Sequence, residues 1–375
     1  MFTPSRRRFL RLAAAGAPVS LLGLSGYAQV PSASGPVIAN RSRSGAEFIT
    51  RETEDAIQES LDFLARNQLA DGSFSDKLGG VAGGITSLAS LALMAGGNQP
   101  NRGKYGKEIS KAVDYIVGLA NGPTPGFLTT PESQLAGRLA NQPGPMYSHG
   151  FSTLFLSEVC GMAPAAGRDQ KARTALEQAV AFIIAAQNNE GGWRYEPRAQ
   201  FADVSVTVAQ MMALRAAKHT GLLVRKGVID SGASYIKGCQ MSDGGFSYWK
   251  GTGYSAFART AASIVGLYSA GIYEGKEIER GLKYLQQFTP GRNFSPREIP
   301  PQHYLYGQYY AALAMWTAGD DYWLPWFPAI RDELLSRRRS SGGNWSDLYH
   351  GSIYATAMAL IILQLPNNYL PILQK

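Results

Sequence analysis

Apolar residues at helical spacing recur along this chain in paired segments, and the first segment of each pair stops near a glycine followed by an aromatic. The aromatics are Phe74, Phe127, Trp193, Phe246, Phe294 and Trp345, spaced between 48 and 66 residues apart. An apolar anchor lies 10 to 12 residues before each: Phe63, Tyr115, Phe182, Tyr235, Tyr284 and Leu334. The fourth unit shows the plan. Ser231 to Gln240 carries Ala233, Tyr235 and Ile236 as a helical stripe, Gly244-Gly245-Phe246 breaks it, and Thr260 to Ala270 resumes the helical period. The third unit repeats it with Ala175 to Gln187, Gly191-Gly192-Trp193 and Val206 to Ala217. The fifth and sixth follow with Gly281 to Gln287 and Tyr309 to Thr317, then Ala329 to Arg338 and Tyr354 to Leu365. A threonine often stands near the start of the second segment, as at Thr86, Thr207, Thr260 and Thr356. A fixed period of this size means one helical hairpin copied several times, and a single copy cannot bury its apolar face alone.

The second segment of each pair is the more apolar. Residues 357–363 (AMALIIL) are apolar all round, the mark of a helix buried on every side, whereas Glu277 to Gln287 keeps charges on one face. Second helices therefore belong inside and first helices outside. An open solenoid would need polar capping units at both ends, and the last helix is very apolar. The pattern predicts an all-α fold, an α/α toroid of six helical hairpins closed into a double ring.

Charge and composition change this picture mainly at the N-terminus. Ser5-Arg6-Arg7-Arg8-Phe9-Leu10-Arg11 matches the twin-arginine export pattern, followed by a weakly apolar run from Leu12 to Gly26 and the small-x-small signal Gly26-Tyr27-Ala28. That run is 15 residues, short of a bilayer span. The expected plan is a signal peptide over 1–28, a flexible tether over 29–52 and the repeat domain over 53–375. The expected location is the periplasm or cell envelope, with membrane association only through an uncleaved signal. The formal charge of +8 includes four arginines of the signal, so the remainder is mildly basic and shows no Lys/Arg stripe for nucleic acid. Arg337-Arg338-Arg339 reads as a solvated helix end, where cations suit the dipole. Cys160 and Cys239 sit in different repeats and read as two buried thiols. No glycine-rich phosphate loop follows a strand.

Gln240-Met-Ser-Asp-Gly-Gly-Phe246, and Gln187 followed by Gly191-Gly192-Trp193, resemble the glutamine–tryptophan repeat of squalene and oxidosqualene cyclases, and also the repeat of protein prenyltransferase beta subunits. The resemblance runs from about Thr53 to Leu373 and implies an α/α toroid around a central, largely apolar cavity. Gly319-Asp320-Asp321-Tyr322-Trp323, Tyr354-Ala-Thr-Ala-Met-Ala-Leu and Tyr369-Leu370-Pro371 are most similar to exported bacterial repeat proteins of this type. The catalytic motifs do not carry over. Triterpene cyclases use Asp-x-Asp-Asp; Asp203-Val-Ser-Val-Thr207 has one acid, and Asp320-Asp321 reads as part of a turn. Prenyltransferases hold zinc with Asp, Cys and His; Asp347-Leu-Tyr-His350 resembles the histidine segment, but no Asp-x-Cys accompanies it. The thioester proteins of this toroid need Cys-Gly-Glu-Gln, and Cys160-Gly161-Met162-Ala163 departs from it. No metal or cofactor is expected.

The residues leading into the inner helices are the remaining site candidates, because free amides at helix starts favour polar or anionic groups. They are Tyr147, His149, Asp203, Ser205, Arg259, His303, Tyr304, Tyr306 and His350. Capping is the competing role for the same residues, Asp203 above all. Three functions fit: binding of an apolar, isoprenoid-like or amphipathic ligand or of a protein partner without the familiar catalysis; a terpenoid- or lipid-acting enzyme using Asp203 as acid; and an envelope scaffold.

Overall fold

The computed structural model describes residues 45–75, 83–130, 144–162 and 166–373; the expected signal 1–28, and the tether as far as residue 44, lie outside them. The described residues belong to one compact unit running from Arg43 to Lys375. They contain twelve α-helices: α1 (Arg51–Arg66), α2 (Gly83–Ala95), α3 (Gly106–Leu119), α4 (Pro145–Val159), α5 (Ala166–Ala186), α6 (Val204–His219), α7 (Lys226–Gly238), α8 (Phe257–Ser269), α9 (Lys276–Gln286), α10 (Tyr304–Ala318), α11 (Asp320–Ser340) and α12 (Ser352–Leu363). None of them is long and apolar enough to cross a membrane.

The even-numbered helices form the inner ring. Each packs on the next, from α2 through α4, α6, α8, α10 and α12, and α12 packs back on α2. The odd-numbered helices stand outside as the first arm of each hairpin. The sequence contrast is realised directly: α12 is buried from Ile353 to Leu363, while α9 buries Ile278, Gly281, Leu282 and Leu285 and leaves its charged face outward. The ring closes as the apolar last helix required.

Each glycine–aromatic turn is a joint between consecutive hairpins. Gln187 Nε2 donates to the carbonyl of Gly191 in its own turn (2.7 Å) and to that of Val228 in α7 (2.9 Å). Gln240 does the same to Gly244 (3.0 Å) and to Glu277 in α9 (2.9 Å), and Gln68 to Gly72 (3.0 Å) and Glu108 in α3 (2.8 Å). The glutamine thus ties its own turn to the first turn of the next outer helix, using the second lone pair of a helical carbonyl. The turn itself presses on that helix: a Cβ on Gly191, whose φ is +88°, would lie 2.7 Å from the Ser231 carbonyl oxygen. Only glycine combines that backbone angle with that approach. The repeated threonines hold the aromatic. Thr86, Thr207 and Thr260 accept from the amides of Phe74, Trp193 and Phe246 at 2.9–3.0 Å.

Two sequence expectations change at the seam where the last hairpin meets the first. The arginine run at 337–339 is not a merely solvated helix end. Arg338 pairs with Glu59 and Arg339 with Glu52, both on α1, while Arg337 pairs with Glu333 (2.9 Å) and lies 3.8 Å over the Tyr304 ring. The ring also starts before residue 53. Phe48 packs edge-on against Trp323 and Phe327 of α11, at 6.4 and 5.8 Å between centroids, and Thr50 caps α1 by accepting from the Thr53 amide. An apolar anchor and a helix cap are embedded in a segment whose average composition is polar. Likewise α11 begins at Asp320, ahead of the expected Ala329. Gly319, at φ +107°, makes the turn, and the two acids occupy the first helical turn, where the dipole favours them. Cys160 and Cys239 are buried and form no disulfide.

Candidate functional site

The inner helices run parallel, so their N-terminal ends share one face of the ring and their C-terminal ends the other. The chain after α12 crosses the C-terminal face. Gln364 Nε2 donates to Ala92 (3.1 Å) and Asn367 Nδ2 to Ala95 (3.4 Å), both near the end of α2, and the Tyr369 ring lies against Gly97. Residues 371–373 then reach α6, which stands opposite α12 in the ring. Leu365 and Leu370 are buried beneath this strap. The N-terminal face is thereby the mouth.

The nine sequence candidates divide into three sets. Tyr147, Asp203, Ser205 and Tyr306 come together from α4, the start of α6 and α10. Tyr147 and Tyr306 meet edge-on at 6.5 Å, Ser205 lies beside both hydroxyls, and Asp203 is near enough to act on both electrostatically. The two tyrosines keep accessible surface, yet burial raises both phenols above their ordinary range. We read accessible surface at this depth as a hollow inside the inner ring. The Tyr306 hydroxyl has no hydrogen-bond partner among the described residues.

Asp203 is fully buried. Its Oδ1 accepts from the Val206 amide at 2.9 Å and caps α6, so the capping role is real, but its Oδ2 has no partner. Burial pushes its carboxyl up to about 7, against the pull of the Val206 amide and Arg194 towards the charged form. A carboxyl in this state holds its proton for a large part of the time at neutral pH and presents the other oxygen towards its neighbours.

Arg259, His303 and His350 form a second set at the rim. Arg259 and His350 both lie close enough to His303 to lower its pKa along with burial, and Asp347 lies near it. Asp347 is committed locally: its Oδ1 takes the amides of Tyr349 (2.8 Å) and His350 (2.7 Å) and the His350 Nδ1 (3.0 Å). The His350 ring lies 4.6 Å from Tyr354, which neighbours Tyr306 and Tyr309 and so joins the rim to the hollow.

The other two candidates point elsewhere. His149 is sealed in the wall between Phe127 and Phe182, at 5.3 and 5.1 Å, with Nδ1 accepting from the Leu128 amide at 3.1 Å. Burial pushes it down to about 3, so it is a neutral packing histidine. Tyr304 turns to the outer ring and donates to Glu333 at 2.6 Å. Residues that sequence reasoning missed complete the hollow's surroundings. Tyr248 donates to Tyr195 at 2.6 Å, both near Asp203, and Tyr310 stacks obliquely on Tyr306 at 4.8 Å. The signal for Tyr309 and Tyr310 was present: they follow Tyr306 by three and four residues, on one face of α10. Among the described residues no group of His, Cys, Asp and Glu is arranged to hold a metal ion.

Residues 162–295 match the family model of the squalene-hopene cyclase C-terminal domain. The described chain is a squalene cyclase-like α/α toroid. Type II terpene cyclase MstE from Scytonema, in complex with merosterolic acid A, superposes on this toroid with a TM-score of 0.55 and 14% identity, over 84% of this chain and 97% of that one. The α-1,6-mannanase GH76A from Salegentibacter sp. HEL1_6 gives 0.57 and 7%, over 85% and 99%. A reducing end xylose-releasing exo-oligoxylanase gives 0.52 and 14%, over 87% and 94%. At these identities the likeness is one of fold, and the toroid serves terpenoid and glycan enzymes alike. No curated protein matches by sequence. The choice between chemistries rests on the lining. Around the hollow, Asp203 is accompanied by tyrosines, while Asp347 is tied to His350 and the adjoining backbone.

Proposed function

We propose that this toroid binds an apolar or amphipathic ligand in the hollow of its inner ring, as an exported envelope protein. One observation carries the reading: Tyr147 and Tyr306 are deep in the ring and still accessible. Apolar pockets with a few convergent polar groups suit such ligands. The MstE structure with geranylgeranyl dihydroxybenzoate lends support, since that ligand couples an apolar geranylgeranyl part to a polar one. Solvent extraction of the purified full chain, followed by mass spectrometry, tests the proposal. A bound lipid or isoprenoid near one per chain is expected, reduced in Tyr306→Trp, which fills the hollow. An empty extract from a folded protein that also fails to take up added lipid would overturn it and favour a protein partner or a scaffold role.

A second reading draws on Asp203. A buried carboxyl with one unpartnered oxygen and a value near 7 has the form of a general acid. On this reading it protonates an alkene or a leaving group of the bound ligand. Turnover of the extracted ligand by wild type, lost in Asp203→Asn with an intact fold, would establish it; equal turnover by both would remove Asp203 from the chemistry.

A further inference from the structure

The rim set suggests what the polar end of the ligand is. Arg259 sits in the first turn of α8. Its Nη2 donates to the Tyr254 carbonyl at 2.8 Å and its guanidinium lies 5.0 Å from the Tyr254 ring. Its Nε is buried and has no partner, and no carboxylate among the described residues forms an ion pair with it. A half-buried guanidinium with an idle donor asks for an acceptor, because arginine offers five donors and cannot lose its proton. The neighbouring carboxylates are committed: Asp347 to His350 and the backbone, and Asp243 to the Gly245 amide (3.0 Å) and Ser255 (2.7 Å).

The surroundings add donors and little negative charge. Three inner helices in succession, α8, α10 and α12, begin without a side-chain cap, at Ala256, His303 and Gly351, whereas α6 is capped by Asp203. The uncapped helix starts alone would define nothing. Beside Arg259, His303 and His350 they make this arc of the mouth rich in donors. The arc is also flanked by exposed apolar surface, with Tyr254 75%, Leu348 75% and Tyr349 55% exposed. From it the His350–Tyr354 contact leads inward to Tyr306.

We infer that the ligand of the hollow is an apolar-tailed carboxylic acid, its carboxylate held at the rim by Arg259 with His303 and His350 and its tail in the tyrosine-lined interior. This rests on the reading of the hollow as a ligand site. One guanidinium matches one negative charge, and a planar carboxylate matches its fork. His303 supplies hydrogen bonds rather than charge, since burial and the nearby guanidinium hold it towards its neutral form.

The test is displacement of a neutral apolar dye, Nile red, from the full chain by hexadecanoic acid and by hexadecan-1-ol, which share a tail and differ in the head. The acid is expected to bind about tenfold tighter than the alcohol. In Arg259→Gln the preference falls below about threefold, chiefly through weaker binding of the acid, and Arg259→Lys keeps part of it. Thermal melts confirm that the variants fold. Equal affinity for acid and alcohol in the wild type overturns the head-group assignment and leaves the apolar site standing, as does a full acid preference in Arg259→Gln. Displacement by neither overturns the hollow as a ligand site and the head-group assignment with it.

Discussion

Asp203→Asn isolates the proton of Asp203 from its structural role, because an asparagine side-chain oxygen can still accept from the Val206 amide and cap α6. What changes is titration. In the folded chain burial raises the Asp203 carboxyl from 3.8 to about 7. A folded value above the unfolded one means that stability is fully present below about pH 4 and is lost as pH rises through 7. The gap is about three pH units at about 1.4 kcal/mol each, so the wild type loses about 4 kcal/mol across that window relative to a variant that does not titrate there. Urea unfolding followed by tryptophan fluorescence at pH 5 and pH 8, on both proteins, reads the difference. Between pH 5 and pH 8 the variant should gain on the wild type by about 2–3 kcal/mol, the part of the window that lies above pH 5. Parallel stabilities would refute the reasoning and mean that the carboxylate is ionised and well solvated, which would also remove the basis for its role as an acid.

Gly191→Ala should cost about 2–4 kcal/mol in urea unfolding, from positive φ plus the clash with Ser231, while Gly221→Ala, with φ of +89° and open space around it, should cost about 1–2. Equal losses would mean that the close approach carries no weight. Gln187→Ala removes two hydrogen bonds that tie the turn to α7, so a loss of about 1–3 kcal/mol and faster amide exchange at the start of α7 are expected; unchanged exchange there would refute the joint. His149, pushed down to about 3, favours the fold fully above its ordinary 6.5, and that contribution falls away as pH drops towards 3. Its ring resonances should stay those of a neutral imidazole between pH 7 and 5, and an ordinary titration would contradict the sealed environment.

The hairpins were legible because their cause is local. Gln187, Gly191 and Trp193 lie within seven residues and make their bonds within the turn, back to the helix before it or on to a following one, so one short pattern marks each joint. Closure was legible from the all-apolar α12. The site was legible only in part, because residues at equivalent helix starts point in different directions depending on what the adjacent hairpin offers. Tyr147 and His149 are two residues apart, yet one faces the hollow and the other the wall between Phe127 and Phe182. Tyr304 and Tyr306 divide the same way, because Glu333 and Arg337 of α11 capture the first. Composition likewise hid the seam: the glutamates that receive Arg338 and Arg339 lie near the opposite end of the sequence.

The strap across the C-terminal face has one more consequence. Residues 365–367 touch residues 45–48, so the segment leaving α12 meets the segment entering α1 at the seam before residues 371–373 run on to α6. A ring whose first and last hairpins adjoin has no privileged starting point. A chain opened at the exposed Gly221 turn, with residue 367 joined to residue 45 by a short linker, would trace the same double ring beginning from α7. The order of the hairpins along the sequence is then a matter of history, while their order around the ring is what the contacts enforce.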